Sequence, residues 1–324
     1  ERINRARARR DAFGAFASAE VDLARGLALA AGVRWDGIRG GLSSEAGMVP
    51  SGRSDLSAAS PSLTLNRRLG RSGNAFLSVS RSFKAPTLEQ LFDRRPFFLA
   101  PYLPPLYLSN DALLPQRAWN VELGLRTRLG NRAWTDLALY SLKVRDEIGF
   151  DLAHLRYDNI DRSVHQGVEW NLTAYPTDHL RPRLAYVLSR ATFDGGANRG
   201  NQINGVPRHQ ATAALAWLEE NGAAGGPGAG LWAEVSLHHV RGQFIDEANR
   251  LPLAPYTILD AAAGYRFRRF PPIGSLGIEL TARNLTDERF TPEGFVSLDQ
   301  RGQPLPLYYP GSRRSVAGLL RVER

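Results

Sequence analysis

Along most of the chain, apolar side chains recur at every second position. In the stretch from Gly274, Leu276, Ile278, Leu280 and Ala282 alternate with Gly277, Glu279, Thr281 and Arg283 before a polar exit through Asn284-Leu285-Thr286-Asp287-Glu288-Arg289-Phe290. A period of two belongs to a strand whose faces meet different surroundings. Charges on one side and unbroken aliphatics on the other suit a sheet with water on one face only. In a soluble sandwich the apolar face is a core. In a membrane barrel it faces lipid, and the polar face lines an aqueous lumen.

The same design repeats from the start. Phe13, Ala15, Ala17, Ala19, Val21 and Leu23 share one face, and after Ala24-Arg25-Gly26 the set Leu27, Leu29, Ala31, Val33 and Trp35 shares another, which predicts a hairpin. A Gly/Ser-rich loop is expected over about Gly37 to Ser60, then strands over Pro61 to Leu69 and Ala75 to Phe83. A long loop, about Lys84 to Gln116, precedes strands around Trp119 to Leu125 and through Leu137 and Leu139. Further strands are expected over about Leu155 to Tyr175, Leu180 to Thr192, Arg208 to Glu219, Leu231 to Gln243, Tyr256 to Phe270, Gly274 to Phe290 and Arg314 to Glu323. That makes about thirteen strands.

Connections near 25, 71, 130, 177, 225 and 272 are short, and those near 50, 100, 152, 200, 250 and 300 are long. One rim of short turns opposite one of long loops is the habit of outer-membrane barrels. Trp35, Trp119 and Trp170 are placed toward the long-loop rim and Trp217, Tyr265 and Phe267 toward the short-turn rim, as two interfacial girdles. Trp134 and Trp232 share parity with Asp136 and Glu234 and are read as lumen or turn residues. Glu20, Arg34, Glu122, Arg126, Glu169, Glu234, Asp260, Arg266, Glu279, Arg283 and Arg321 share the inward parity. An odd count leaves the first and last strands running in the same direction, so a closed antiparallel ring calls for upstream strands.

The chain has 324 residues, 43% hydrophobic, and no apolar run near that of a spanning helix, so crossing a membrane falls to strands. It has no cysteine, which excludes disulfides and thiolate metal sites. The net charge of +9 raises nucleic acid as a partner, but the arginines are scattered and form no block beyond Arg5 to Arg10, so none is expected. The start, Glu1-Arg2-Ile3-Asn4, reads as a cut end. Enzyme chemistry has little support. His238 and His239 are strand neighbours that point to opposite faces and cannot chelate one ion together. Gly226-Pro227-Gly228-Ala229-Gly230 lacks the helix a phosphate cradle needs and is read as a turn. No catalytic residue, cofactor or metal site is expected.

Ser80-Arg81-Ser82-Phe83-Lys84-Ala85-Pro86-Thr87-Leu88-Glu89-Gln90-Leu91-Phe92 resembles the strand-to-loop motif of TonB-dependent outer-membrane receptors. Further matches follow in the family's order: Asn110 to Gln116 with Glu122-Leu123-Gly124, Tyr157-Asp158-Asn159 with Gly167-Val168-Glu169, Asn204 to His209, Asn284-Leu285-Thr286-Asp287 with Phe290, and Tyr309 to Arg314. Asp111 and Gln116 replace the usual proline and glutamate, and the chain ends Leu320-Arg321-Val322-Glu323-Arg324 without the family's terminal aromatic. The resemblance implies an all-β fold: the C-terminal part of an antiparallel transmembrane β-barrel of about twenty-two strands, with the plug domain and about nine strands lying elsewhere. It implies a place in the outer membrane of a Gram-negative-type bacterium and uptake of a scarce large solute, a ferric siderophore first. The implied partners are membrane lipid, the plug and N-terminal strands, and the TonB energy-coupling complex. Ligand contacts are expected in the long loops, from Arg94, Arg95, Tyr102, Tyr107 and Arg250, which offer cations and aromatic faces to an anionic, catecholate-like ligand. An outer-membrane β-barrel enzyme and a soluble all-β binding or adhesion module are the alternatives.

Overall fold

The structure, a computed structural model, describes residues 6–44, 52–93, 106–151, 154–160, 162–219, 230–270, 274–299 and 301–323. In chain order its elements are β1 (Ala6–Ala24), β2 (Leu27–Ser44), β3 (Gly52–Leu69), β4 (Gly73–Lys84), the short helix α1 (Leu88–Phe92), β5 (Gln116–Leu129) and β6 (Ala133–Arg145). They continue as β7 (Glu147–Asp151), β8 (Arg156–Ile160), β9 (Ser163–Ala174), β10 (Leu180–Phe193), β11 (His209–Leu218), β12 (Gly230–Arg241), β13 (Gln243–Phe244) and β14 (Pro252–Leu253). The last are β15 (Tyr256–Phe270), β16 (Gly274–Arg283), β17 (Glu293–Leu298), β18 (Pro304–Tyr309) and β19 (Ser315–Glu323).

Thirteen strands form one sheet in the order β1-β2-β3-β4-β5-β6-β9-β10-β11-β12-β15-β16-β19, with each hydrogen-bonded pair antiparallel and sequential. The other six strands make three small hairpins, β7–β8, β13–β14 and β17–β18, all in long connections. The expected alternation of short turns and long loops is seen at the turns near 25, 71, 130 and 177 and at the connections near 152, 200, 250 and 300, while those near 50, 225 and 272 and the middle of that near 100 lie outside the described residues. Among the described residues no helix is long and apolar enough to cross a membrane.

The register keeps two faces distinct across the whole sheet. Leu63, Val79, Val121 and Ser141 follow one another across β3 to β6, and Leu65, Leu77, Leu123, Leu139, Val168 and Leu188 across β3 to β10. Leu215, Val235, Ala261, Ala282 and Val316 continue the apolar face to β19. Its side chains are not packed against a second layer: Leu123 and Ile278 are each 50% exposed and Phe13 66%. Such an expanse of bare aliphatic surface excludes a soluble sandwich, whose apolar faces pack together. The opposite face carries the charges expected there, and some are paired in place: Arg34 chelates Asp36 at 2.6 Å, Arg126 faces Asp136 on the next strand, and Arg183 reaches Glu234 across β11. Gly14 leaves room for the Arg34–Asp36 pair, since a Cβ there would lie 2.4 Å from the guanidinium. Trp134 and Trp232 face inward as expected, Trp134 under Arg128 at 5.7 Å and Trp232 over Gly264.

Three expectations are corrected. The region from Gly37 to Ser60 is mostly strand: β2 runs to Ser44, β3 starts at Gly52, and Gly37↔Ser57, Ile38↔Leu56 and Arg39↔Asp55 are in register. At 18 residues each, these strands exceed the ~9–11 needed to cross a bilayer, and their upper halves, rich in Gly and Ser, lack the apolar alternation that marks a strand. The stretch Leu155 to Tyr175 divides into β8 and β9. Trp170 belongs to the short-turn side, because it pairs with Leu137, which lies near the start of β6, and donates from Nε1 to Thr135 Oγ1 at 3.0 Å.

Candidate functional site

Among the described residues, burial is concentrated at the long-loop rim. After β4 the chain turns through Pro86, which is fully buried, and starts α1 at Thr87. Thr87 Oγ1 accepts from the Gln90 amide at 3.2 Å and Gln90 Oε1 from the Thr87 amide at 3.0 Å, the reciprocal cap that lets so short a helix form. Leu91 and Phe92 then pack with Leu42, Leu113 and Ile148, flanked by Leu88 and Tyr157. Leu42 and Gly40 have inward parity on β2, and Leu88 and Phe92 lie against Gly40 and Gly52. The segment after β4 that carries α1 thus folds over the inner face of β2 and β3 instead of outward.

Asparagines lock neighbouring loops to it. Asn159 on β8 donates to the carbonyls of Leu114 at 3.0 Å and Asp146 at 2.8 Å and accepts from the Leu114 amide at 2.8 Å, while Asn110 donates to Asp158. Farther along, Asn284 is buried in the left-handed region (φ 50°), donates to the carbonyls of Glu288 and Ser312, and accepts from the Glu288 amide. Asp287 is held by the Arg313 side chain and the Arg314 amide, which keep its carboxyl well below the usual carboxylate range. Phe290 stacks on Tyr256 at 4.6 Å and covers Gly311, where a Cβ would lie 2.3 Å from the ring.

Between hairpins β7–β8 and β13–β14 and the loop after β10 lies a polar cavity of about 330 Å³, lined by Asp151, Asp158, Asn159, Asn198 and Glu247 among others. Asp158 pairs with Arg156 at 2.9 Å and Asp151 with His154 at 2.5 Å. Glu247 accepts from Asn198 at 2.9 Å, and partial burial followed by the charge of Asp151 raises its pKa. Among the described residues no group of three His, Asp or Glu side chains is placed to hold a metal ion.

Of the ligand contacts expected from sequence, Arg94, Arg95 and Tyr102 lie outside the described residues. Tyr107 is exposed beside Leu108, whose carbonyl accepts from the Tyr157 amide at 2.8 Å, so it stands next to hairpin β7–β8. Arg250 is exposed beyond β13 with its amide on Asp246 at 3.1 Å. The cavity lies between the two, and its acidic lining was missed. The signal that could have found it is the recurrence of Asp, Asn and Gly in successive long loops, as in Asp194-Gly195-Gly196-Ala197-Asn198.

No curated protein sequence matches the chain. Solved structures do. The ferric yersiniabactin uptake receptor FyuA from Yersinia pestis superposes on 97% of this chain and 46% of its own with a TM-score of 0.73 at 16% identity. The unliganded ferric citrate transporter FecA covers 98% of this chain and 46% of its own, TM-score 0.74, at 15% identity. The copper transporter OprC covers 97% and 47%, TM-score 0.71, at 15% identity. The chain thus spans somewhat less than half the length of these neighbours, and they show its fold. The family model described as TonB dependent receptor-like, beta-barrel matches residues 2–285. With the ordered motifs now seen to cap, staple and clamp the long-loop rim of a sequential antiparallel wall, the chain belongs to the TonB-dependent receptor β-barrel family.

Proposed function

We propose that this chain is the C-terminal part of the barrel wall of an outer-membrane transporter that takes up a ferric siderophore. The observation that carries the reading is the register: thirteen strands keep one bare apolar face and one charged face, the arrangement a wall between lipid and an aqueous lumen requires. Plug, remaining strands and energy coupling through TonB then belong to the rest of the protein, and its place is the outer membrane of a Gram-negative-type bacterium. Solved neighbours named for ferric yersiniabactin, ferric citrate and ferric catecholate support an iron-chelate ligand. The neighbour named as a copper transporter favours a second reading, another metal cargo. Transport, not catalysis, is the activity the family supports.

Ligand contacts are assigned to Arg94, Arg95, Tyr102, Tyr107 and Arg250 in the long loops, where guanidinium forks and aromatic faces suit an anionic chelate. The test is binding and uptake of iron-labelled catecholate, citrate and hydroxamate chelates by the full-length receptor. Arg94→Ala/Arg95→Ala and Arg250→Ala are expected to weaken binding of the preferred chelate about tenfold, the scale of one lost charge-assisted hydrogen bond. Unchanged affinity in both variants removes these residues, and uptake of copper in place of every iron chelate overturns the siderophore assignment.

A further inference from the structure

Hairpin β17–β18, in the long connection between β16 and β19, presents a largely open apolar face. Glu293 stands opposite Tyr309, Phe295 opposite Leu307 and Ser297 opposite Leu305, so Phe295, Leu305, Leu307 and Tyr309 share one side of the hairpin. Phe295 is 40% exposed and Tyr309 54%, with their ring centroids 5.8 Å apart. The other side is held. Gly294 lies against the buried Ile245, where a Cβ would come 3.0 Å from Cγ2, and Gln243 Nε2 donates to the carbonyls of Pro292 at 3.3 Å and Gly205 at 3.4 Å. A hairpin pinned from behind keeps its rings in one orientation, and apolar surface left open at the long-loop rim is surface for a partner to cover.

These two rings open a longer row. Two residues beyond Tyr309, a span of ~7 Å, Gly311 donates its amide to the Phe290 carbonyl at 2.8 Å and lies under the Phe290 ring. Phe290 stacks on Tyr256 at 4.6 Å, and Tyr256 lies 6.5 Å from the His238 imidazole, which Thr212 Oγ1 holds at 3.0 Å. Tyr256 shares the inward parity of Asp260 on β15, and His238 that of Glu234 on β12, so both stand on the inner wall. Rings thus follow one another from the exposed hairpin to the lumen, and Phe290, Tyr256 and His238 each stay partly open. Two charges beside the row are already engaged: Arg313 Nε donates to Asp287 at 2.7 Å, and Asp260 accepts from the Asn284 amide at 2.7 Å. What the row offers a ligand is aromatic faces.

We propose that this row binds the aromatic rings of the transported solute, an iron chelate whose donor groups are carried on flat rings. Phe295 and Tyr309 take a ring at the rim by offset or edge-on stacking, with Leu305 and Leu307 widening the face on which it lies. Phe290, Tyr256 and His238 continue the same contact toward the lumen. Because the hairpin is fixed from behind, its rings are in place before the solute arrives and little ordering opposes binding. A saturated ring of the same size covers the same apolar surface but has no π face, so the row distinguishes the two. The inference rests on the transporter reading and narrows its cargo to chelates with aromatic donors.

The test compares two neutral complexes of similar size, ferric tris(benzohydroxamate) and ferric tris(cyclohexanecarbohydroxamate), by equilibrium dialysis of labelled iron against the full-length receptor in detergent. Wild type is expected to bind the benzohydroxamate complex about tenfold more tightly, the upper scale of one aromatic contact. Phe295→Leu/Tyr309→Leu keeps an apolar hairpin face without rings and is expected to cut that preference to about twofold or less. Tyr256→Leu is expected to lower it as well, and Tyr175→Leu, on the short-turn side, to leave it intact. Should Tyr256→Leu fail to fold because Phe290 rests on it, the exposed hairpin variant decides. Equal affinity of wild type for the two complexes, binding of neither, an undiminished preference in a folded row variant, or an equal loss in Tyr175→Leu overturns the proposal. Uptake of iron and copper solutes by cells carrying the receptor reports separately: uptake without ring preference removes this inference alone, and no uptake of any of them removes the transporter reading.

Discussion

Glu247 shows how a single side chain senses the packing of the rim. Its carboxylate sits where three loops meet, near the charge of Asp151, and both effects favour the protonated form. A carboxyl whose folded pKa lies above its unfolded value contributes stability that is fully present below the unfolded pKa and is lost as pH rises through the folded pKa. Glu247→Gln keeps the acceptor for Asn198 and removes the charge, so it is expected to raise the thermal midpoint of the full-length receptor at neutral pH. Solvent screening holds the effect under about 1 kcal/mol, and the difference should vanish below about pH 4, once the carboxyl is protonated in the unfolded state as well. Thermal scans of both proteins at the two pH values check it; a variant less stable at neutral pH contradicts it. The family motifs also resolve at this scale. Gly311 is required because Phe290 occupies the space of a Cβ, Asn284 because a left-handed residue must also satisfy neighbouring carbonyls, and Thr87 with Gln90 because a five-residue helix needs both caps. The sequence showed these residues as a recurring order without their partners, since each partner is contributed by a different loop.

Strands were legible where the bilayer or the lumen forces a difference between faces. From Leu63 to Leu69 and from Trp119 to Leu125 the alternation alone gave the element and its facing. It failed at Gly37 to Ser60, where Gly and Ser replace the aliphatics, and at Trp170, whose facing parity was right but whose height along the strand depends on which turn it is counted from. Facing can be tested by charge. Leu139→Arg, in the middle of the apolar face, is expected to cost about 2–4 kcal/mol of folding stability in lipid. Ala138→Arg, on the inward face of β6 opposite Glu169, should change it by less than about 1 kcal/mol. Urea titration of folding into vesicles measures both, and equal costs contradict the assignment of faces.

As a whole molecule the chain is a wall with two free edges, β1 and β19, among its described strands, and it covers under half of the solved receptors it resembles. The acidic cavity was not legible, because it is assembled from three separate loops. Everything functional depends on which solvent each face meets. The most direct measurement is a nitroxide scan along β5 in the full-length receptor in bilayers, one cysteine at a time from Asn120 to Arg126, in a chain that has no cysteine of its own. Val121, Leu123 and Leu125 are expected to be accessible to oxygen and shielded from a water-soluble nickel chelate, and Asn120, Glu122, Gly124 and Arg126 the reverse. Accessibility without a period of two, or with the two phases exchanged, would contradict the placement of lipid outside and water within.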